Sequence, residues 1–188
     1  MIDSTQNPPD ILTDIEGGPV TYSTFWQRFF ALLIDGLVLC PLIFIDTYNK
    51  TTWKSFPLLI ISSLIALAYK PFMEAGYGAT LGKMAMKLTI VNYEFQKAGV
   101  RNIILRNIID IVNRVAVTIV TIITFVNPNF EDVNSLAQYN LLSNAAAYAS
   151  WVTVGLSLLV LADAIVLLAD SRRQALHDKI GQTFVIQK

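Results

Sequence analysis

Four stretches of this chain, residues 25–45, 56–72, 108–126 and 145–169, are apolar over nearly the length of a bilayer, and they constrain the fold more than anything else. A helix rises about 1.5 Å per residue, so roughly 20 apolar residues cross the hydrocarbon core. The composition agrees: 54% of residues are hydrophobic, 15% are charged, and the mean hydropathy of +0.51 lies far from that of soluble domains. The expected fold class is an all-α membrane protein with four transmembrane helices and a short cytoplasmic β-hairpin or strand pair. The second stretch is interrupted by Lys70-Pro71. The third is uncharged only over residues 115–126, so its first turns carry Asp110 and Arg114 into the membrane or along its surface.

Basic residues orient the spans. Lys83, Lys87, Lys97, Arg101 and Arg106 lie between the second and third, and Arg172, Arg173, Lys179 and Lys188 follow the fourth. Both segments are expected on the cytoplasmic side of a bacterial inner membrane, together with both termini. The first connection has only Lys50 and Lys54, and residues 127–144 have no basic residue but carry Glu131 and Asp132, so both should face outward. Trp26, Trp53 and Trp151 fall near span ends, where indole rings favour the interface.

Residues 1–20 carry Asp3, Asp10, Asp14 and Glu16 with prolines and glycines, and read as a disordered acidic tail preceding one transmembrane domain over residues 21–188. Within the long cytoplasmic connection, Leu88-Thr89-Ile90-Val91 is a β-branched run, and residues 182–187 are another; two short strands pairing there would tie the tail to the middle loop. Formal net charge is zero, which gives no case for nucleic acid. Cys40, the single cysteine, excludes an internal disulfide and reads as a small core residue. The sequence holds no nucleophile elbow, phosphate loop or zinc spacing, so no enzyme activity, cofactor or metal is expected.

Ionisable residues inside the apolar stretches mark candidate sites, because a charge near the middle of a spanning helix costs roughly 2.5–3.5 kcal/mol. Asp35 is either a buried hydrogen-bonding group that fixes helix packing or an exchangeable site for a cation or proton. Pro41 frees the Leu37 carbonyl within a turn of it; that oxygen either joins a cation site or belongs to a simple packing kink. Arg28, seven residues earlier on the same side, is too far for a direct bond and reads as an interfacial anchor or the partner of another group. Asp110 precedes Arg114 by four residues, the favourable order for an ion pair. Asp163 in the fourth stretch could meet Arg114 or Arg28. His177-Asp178 holds the only histidine, and neighbouring residues do not generally face each other, so the dipeptide is weak support for catalysis.

The segment Phe25-Trp26-Gln27-Arg28-Phe29-Phe30-Ala31-Leu32-Leu33-Ile34-Asp35 resembles the opening of the RDD family of small membrane proteins, named for one arginine and two aspartates. Thr80-Leu81-Gly82-Lys83 before the first strand run, Leu105-Arg106-Asn107, and the closing Gln174-Ala175-Leu176-His177-Asp178-Lys179-Ile180-Gly181-Gln182-Thr183-Phe184-Val185-Ile186 are similar to its later segments. The resemblance implies that Arg28, Asp35 and Asp178 are the family-motif residues. Some family members look like monovalent cation/proton antiporters and others like adaptors in membrane complexes. The leading expectation is therefore movement of Na+, Li+, K+ or H+ by Asp35, with Asp110 and Asp163 as secondary carboxylates, Arg28 and Arg114 as charge partners, and a homo-oligomer in the bilayer. The alternative is a non-transporting adaptor or scaffold subunit.

Overall fold

The computed structural model describes residues 20–144 and 147–187. The tail expected over residues 1–20 lies, except for Val20, outside the described residues. The chain runs β1 (Thr21–Tyr22), α1 (Phe25–Tyr48), a π turn (Asn49–Trp53), α2 (Phe56–Tyr77), α3 (Leu81–Ala85), β2 (Leu88–Asn92), α4 (Val100–Arg106), α5 (Ile108–Val126), a 3-10 turn (Pro128–Asp132), α6 (Leu136–Asn144), α7 (Ala147–Ala169), α8 (Leu176–Gly181) and β3 (Thr183–Gln187).

Local chemistry sets these boundaries. Thr24 starts α1 with a capping box: its Oγ1 accepts from the Gln27 N–H at 3.3 Å, and Gln27 Oε1 accepts from the Thr24 N–H at 2.8 Å. The buried Asn49 closes the turn after α1, its amide donating to the Ser55 carbonyl at 2.9 Å and accepting from the Ser55 N–H at 2.8 Å. Pro57 sits in the first turn of α2, where its missing N–H costs nothing. The interruption expected at Lys70-Pro71 does not end the helix, which continues to Tyr77. One lost backbone bond is tolerable in a long helix supported by its neighbours.

Three helical segments among the described residues are long and apolar enough to cross a membrane: residues 25–53, 56–77 and 108–126. Only 6–11% of their most apolar windows is buried by the rest of the chain, and Leu37, Phe44 and Phe72 are at least 70% exposed. Apolar surface on this scale fits lipid and not water. The expected fourth stretch corresponds to α7, whose first two expected residues, 145 and 146, lie outside the described set, as does the side chain of Trp151. Trp26 and Trp53 sit exposed at helix ends, as expected. Cys40 is a correction: it lies on the exposed face of α1 and not in a core.

The three long segments and α7 connect two differently built ends. At one, the 3-10 turn and α6 fold back over the helix ends around Phe130, Val133 and Tyr139, with Lys50 and Lys54 over the Tyr139 and Phe130 rings. The other end carries β2 and β3, the expected strand pair, in antiparallel register with Ile90 opposite Val185. A third strand joins them: β1 pairs with β3, giving the order β1-β3-β2. Two residues are too few for alternation to announce a strand. Leu88, Ile90, Val185, Ala98, Ile103 and Ala31 form the core beneath the sheet, so the start of α1 and the sheet share one packing unit.

Candidate functional site

Asp35 lies two turns into α1 after Arg28, and its carboxylate turns away from that arginine toward α3. Oδ1 accepts from the Tyr69 hydroxyl and from the Gly82 N–H, both at 2.8 Å, and Oδ2 accepts from the Thr80 hydroxyl at 2.6 Å. The first N–H groups of a helix lack partners within it, and a carboxylate both bonds them and complements the positive end of the helix dipole. Thr80 is the N-cap residue of the same turn, its Oγ1 accepting from the Lys83 N–H at 3.4 Å. The approach is close enough to need glycine: a Cβ on Gly82 would stand 2.0 Å from the Ala31 carbonyl oxygen and 2.8 Å from Asp35 Cγ.

Arg28 points to the other end of the chain. Its Nη1 donates to Asp178 Oδ2 at 2.5 Å, Nη2 to the Arg173 carbonyl at 2.8 Å, and Nε to Ser23 Oγ at 2.7 Å. It is therefore an ion-pair partner in addition to whatever anchoring its position provides. Asp178, fully buried, accepts at its second oxygen from Arg106 Nη1 and caps α8 by accepting from the Ala175 N–H at 3.1 Å. Arg106, 1% exposed, also donates to Thr183 Oγ1 at 2.9 Å. Here too a glycine permits the contact, since a Cβ on Gly181 would meet Arg106 Cβ at 2.6 Å. Burial alone would raise the Asp178 pKa, but Arg106, His177 and Arg28 outweigh it and hold the carboxyl far below the usual range. Burial works against the Arg106 charge as well, and Asp178 and Glu74 overcome it, raising its pKa.

Glu74 completes the knot, and no expectation from the sequence included it. It is fully buried near the end of α2, accepts from Lys83 Nζ at 2.5 Å and from Asn107 Nδ2 at 2.7 Å, and lies 3.5 Å from Arg106 Nε. Burial, offset in part by Glu74, brings the Lys83 ammonium down to about 8. A signal existed: Glu74 is the only acidic residue between Asp46 and Glu94, and it follows an apolar span directly.

The secondary carboxylates have other partners than those expected. Asp110 pairs with Lys70 of α2 and not with Arg114. Arg114 is exposed on α5, with no ion-pair partner among the described residues. Asp163 meets neither Arg114 nor Arg28; it accepts from the His177 N–H at 3.0 Å and lies 2.8 Å from His177 Nδ1. His177 Nε2 lies 3.1 Å from Arg106 Nη2, which can only donate, and 3.3 Å from Asp178 Oδ1. A neutral ring donating from Nδ1 to Asp163 and accepting at Nε2 from Arg106 satisfies both contacts. Burial lowers the imidazole pKa, with Asp178 opposing and Arg106 adding to the shift. His177 and Asp178 thus do approach each other, because both side chains of the six-residue α8 turn toward Arg106. Among the described residues, no group of three or more histidine, cysteine or acidic side chains could hold a metal ion.

Residues 22–182, most of the chain, match the RDD family. The chain belongs to the RDD family. No curated protein and no solved structure matches it. The match and the apolar helices together make it an RDD family membrane protein. Arg28 and Asp35 of this RDD protein, though seven residues apart on one helix, serve separate contacts: Arg28 grips α8, and Asp35 grips α3. With Asp178 bridging Arg28 and Arg106, the three motif positions join α1 to α3, α4 and α8. Arg106 extends the network through Glu74 to α2 and through His177 to Asp163 of α7.

Proposed function

We propose that this RDD protein is a non-transporting membrane adaptor in which the signature residues hold a cytoplasmic platform rigidly on the spanning helices. The carrying observation is the engagement of both Asp35 oxygens: three donors from two other segments already bond them. A carboxylate that exchanges an ion for a proton must release its ligands in each cycle, whereas two of these donors belong to the packed turn that opens α3 and the third to Tyr69 of α2. In this reading α7 is the fourth span, the sheet end faces the cytoplasm of a bacterial inner membrane, and both termini lie there. The excess of basic residues in the sheet-end segments supports that orientation. The face offered to a partner protein includes the exposed Tyr93, Val100 and Ile104, and the lipid-facing helices associate with further copies of the chain. The reading assigns no chemical step, metal or cofactor.

A second reading, exchange of Na+, Li+ or K+ for H+, has its own support in the Asp163–His177 pair. There a carboxylate on α7 and an imidazole are each about a quarter exposed, at 28% and 23%. Proteoliposomes holding the purified protein, pulsed with each cation while internal pH is read by a trapped dye, separate the two readings. The adaptor reading expects no cation-driven proton movement above empty vesicles. Flux abolished by Asp35→Asn or Asp163→Asn in a protein of unchanged thermal midpoint would establish exchange and end the adaptor reading.

A further inference from the structure

Where α2 ends and the chain turns through α3 into β2, a partly open cavity of about 210 Å³ is lined by Tyr77, Ala79, Met84, Lys87, Leu88 and Thr89. We propose that this cavity binds an anionic phosphate ester, with Lys87 as the counter-charge and the Tyr77 and Thr89 hydroxyls as neutral donors. None of these residues belongs to the charged knot, and the proposal does not depend on whether the protein is an adaptor or a transporter.

Three features on the molecule point to that ligand. Among the described residues Lys87 has no ion-pair partner, and neither the Tyr77 nor the Thr89 hydroxyl has a hydrogen-bond partner. Residues carrying an ammonium and two hydroxyls therefore line one cavity and offer up to five unused N–H and O–H donors, matching the several acceptor oxygens of a phosphate group. Second, Lys87 holds a left-handed backbone, φ 56°, which glycine or asparagine would adopt with less strain. Backbone positions that disfavour the side chain they carry cluster at ligand sites. Third, the charge around the cavity is positive. The Lys97 ammonium is bonded to the Gly76 carbonyl at 2.7 Å, next to Tyr77, and no acidic residue lines the cavity.

Position narrows the source. Tyr77 is the last residue of an apolar helix long enough to span, so the cavity lies at the level where headgroups sit. Ala79, Met84 and Leu88 supply an apolar wall beside the polar tips, the division an anionic glycerophospholipid presents between its phosphate and its acyl chains. A free phosphate would use the same donors without touching that wall.

The experiment uses the full chain in nanodiscs of phosphatidylcholine alone or with phosphatidylglycerol, released into mild detergent for native mass spectrometry. Inorganic phosphate is titrated calorimetrically into the phosphatidylcholine sample in parallel. The expected result is one retained phosphatidylglycerol, with retention falling about fivefold in Lys87→Gln, the change for one basic charge at the surface. Thr89→Val should reduce retention as well, while Arg101→Gln, which removes an exposed basic residue outside the cavity, should not. Lys87 is exposed, so Lys87→Gln should leave the thermal midpoint in place. Binding of inorganic phosphate without lipid retention, with the same variant pattern, would keep the site and assign it to a soluble ligand. Equal losses in Lys87→Gln and Arg101→Gln would reduce the effect to diffuse attraction and overturn the proposal, as would a wild-type chain that retains neither.

Discussion

Replacing Asp178 by asparagine changes almost no volume and removes one charge, so it isolates what the knot contributes. The carboxylate accepts from Arg28 Nη1, from Arg106 Nη1 and from the Ala175 N–H, with 0% of its side chain exposed. Asparagine has one acceptor oxygen, and its amide would face one of the two guanidinium groups donor to donor. Arg106, 1% exposed, would then have only Glu74 at 3.5 Å as an acidic partner. Removing one member of a buried ion pair costs about 3–5 kcal/mol, because the other charge stays buried and unmatched. In a chain of this size each kcal/mol moves the thermal midpoint by about 2–4 °C, so a fall of about 6–20 °C is expected. Intrinsic tryptophan fluorescence of the protein in nanodiscs during a thermal ramp measures it. Lys70→Gln is the control: the Lys70–Asp110 pair is 34% and 51% exposed, and such pairs contribute about 0–1 kcal/mol. If Asp178→Asn lowers the midpoint no more than Lys70→Gln does, the knot is not what holds this end together.

Gly82→Ala places a methyl 2.0 Å from the Ala31 carbonyl oxygen and must lift α3 off α1. The cost should be at least the roughly 1–3 kcal/mol of ordinary overpacking, read as a lower midpoint and as faster hydrogen exchange at residues 81–85; an unchanged midpoint would show that α3 is not seated on α1. His177 makes stability pH-dependent. Its folded pKa lies below the usual value, so the neutral ring's contribution is present above about 6.5 and is lost as pH falls through the lower, folded value. Asp178, held far below the carboxylate range, stays charged throughout that window. The midpoint should therefore fall between pH 7 and pH 5, and fall less in His177→Gln; equal falls would assign the dependence to other groups.

Much of the fold was legible because two periodicities and one length dominate it. Ile108 was expected to open the third helix and does, and the β-branched run beginning at Leu88 pairs with the run ending at Gln187. The sites were legible as residues and not as contacts. Arg28, Asp35, Asp110 and Asp163 are all engaged, but each by a group that helical spacing along one segment could not supply. Asp110 prefers Lys70 on another helix to Arg114 on its own, and Asp163 prefers a histidine that arrives only when α8 folds back. Glu74 stands just after an apolar run and not inside one, so hydropathy gives no sign of its burial, which comes from Lys83 of α3 and Arg106 of α4 closing over it. The short β1 strand depends entirely on β3 being present to pair with it.

The central claim, that the signature arginine fastens the sheet end to the helices, is tested most directly by peptide-resolved hydrogen exchange on wild type and Arg28→Gln in nanodiscs. The substitution removes the bonds to Asp178, the Arg173 carbonyl and Ser23 together. The expected result is faster exchange across residues 176–187, with residues 108–126 unchanged. Wild-type protection across residues 176–187 in Arg28→Gln would contradict the claim.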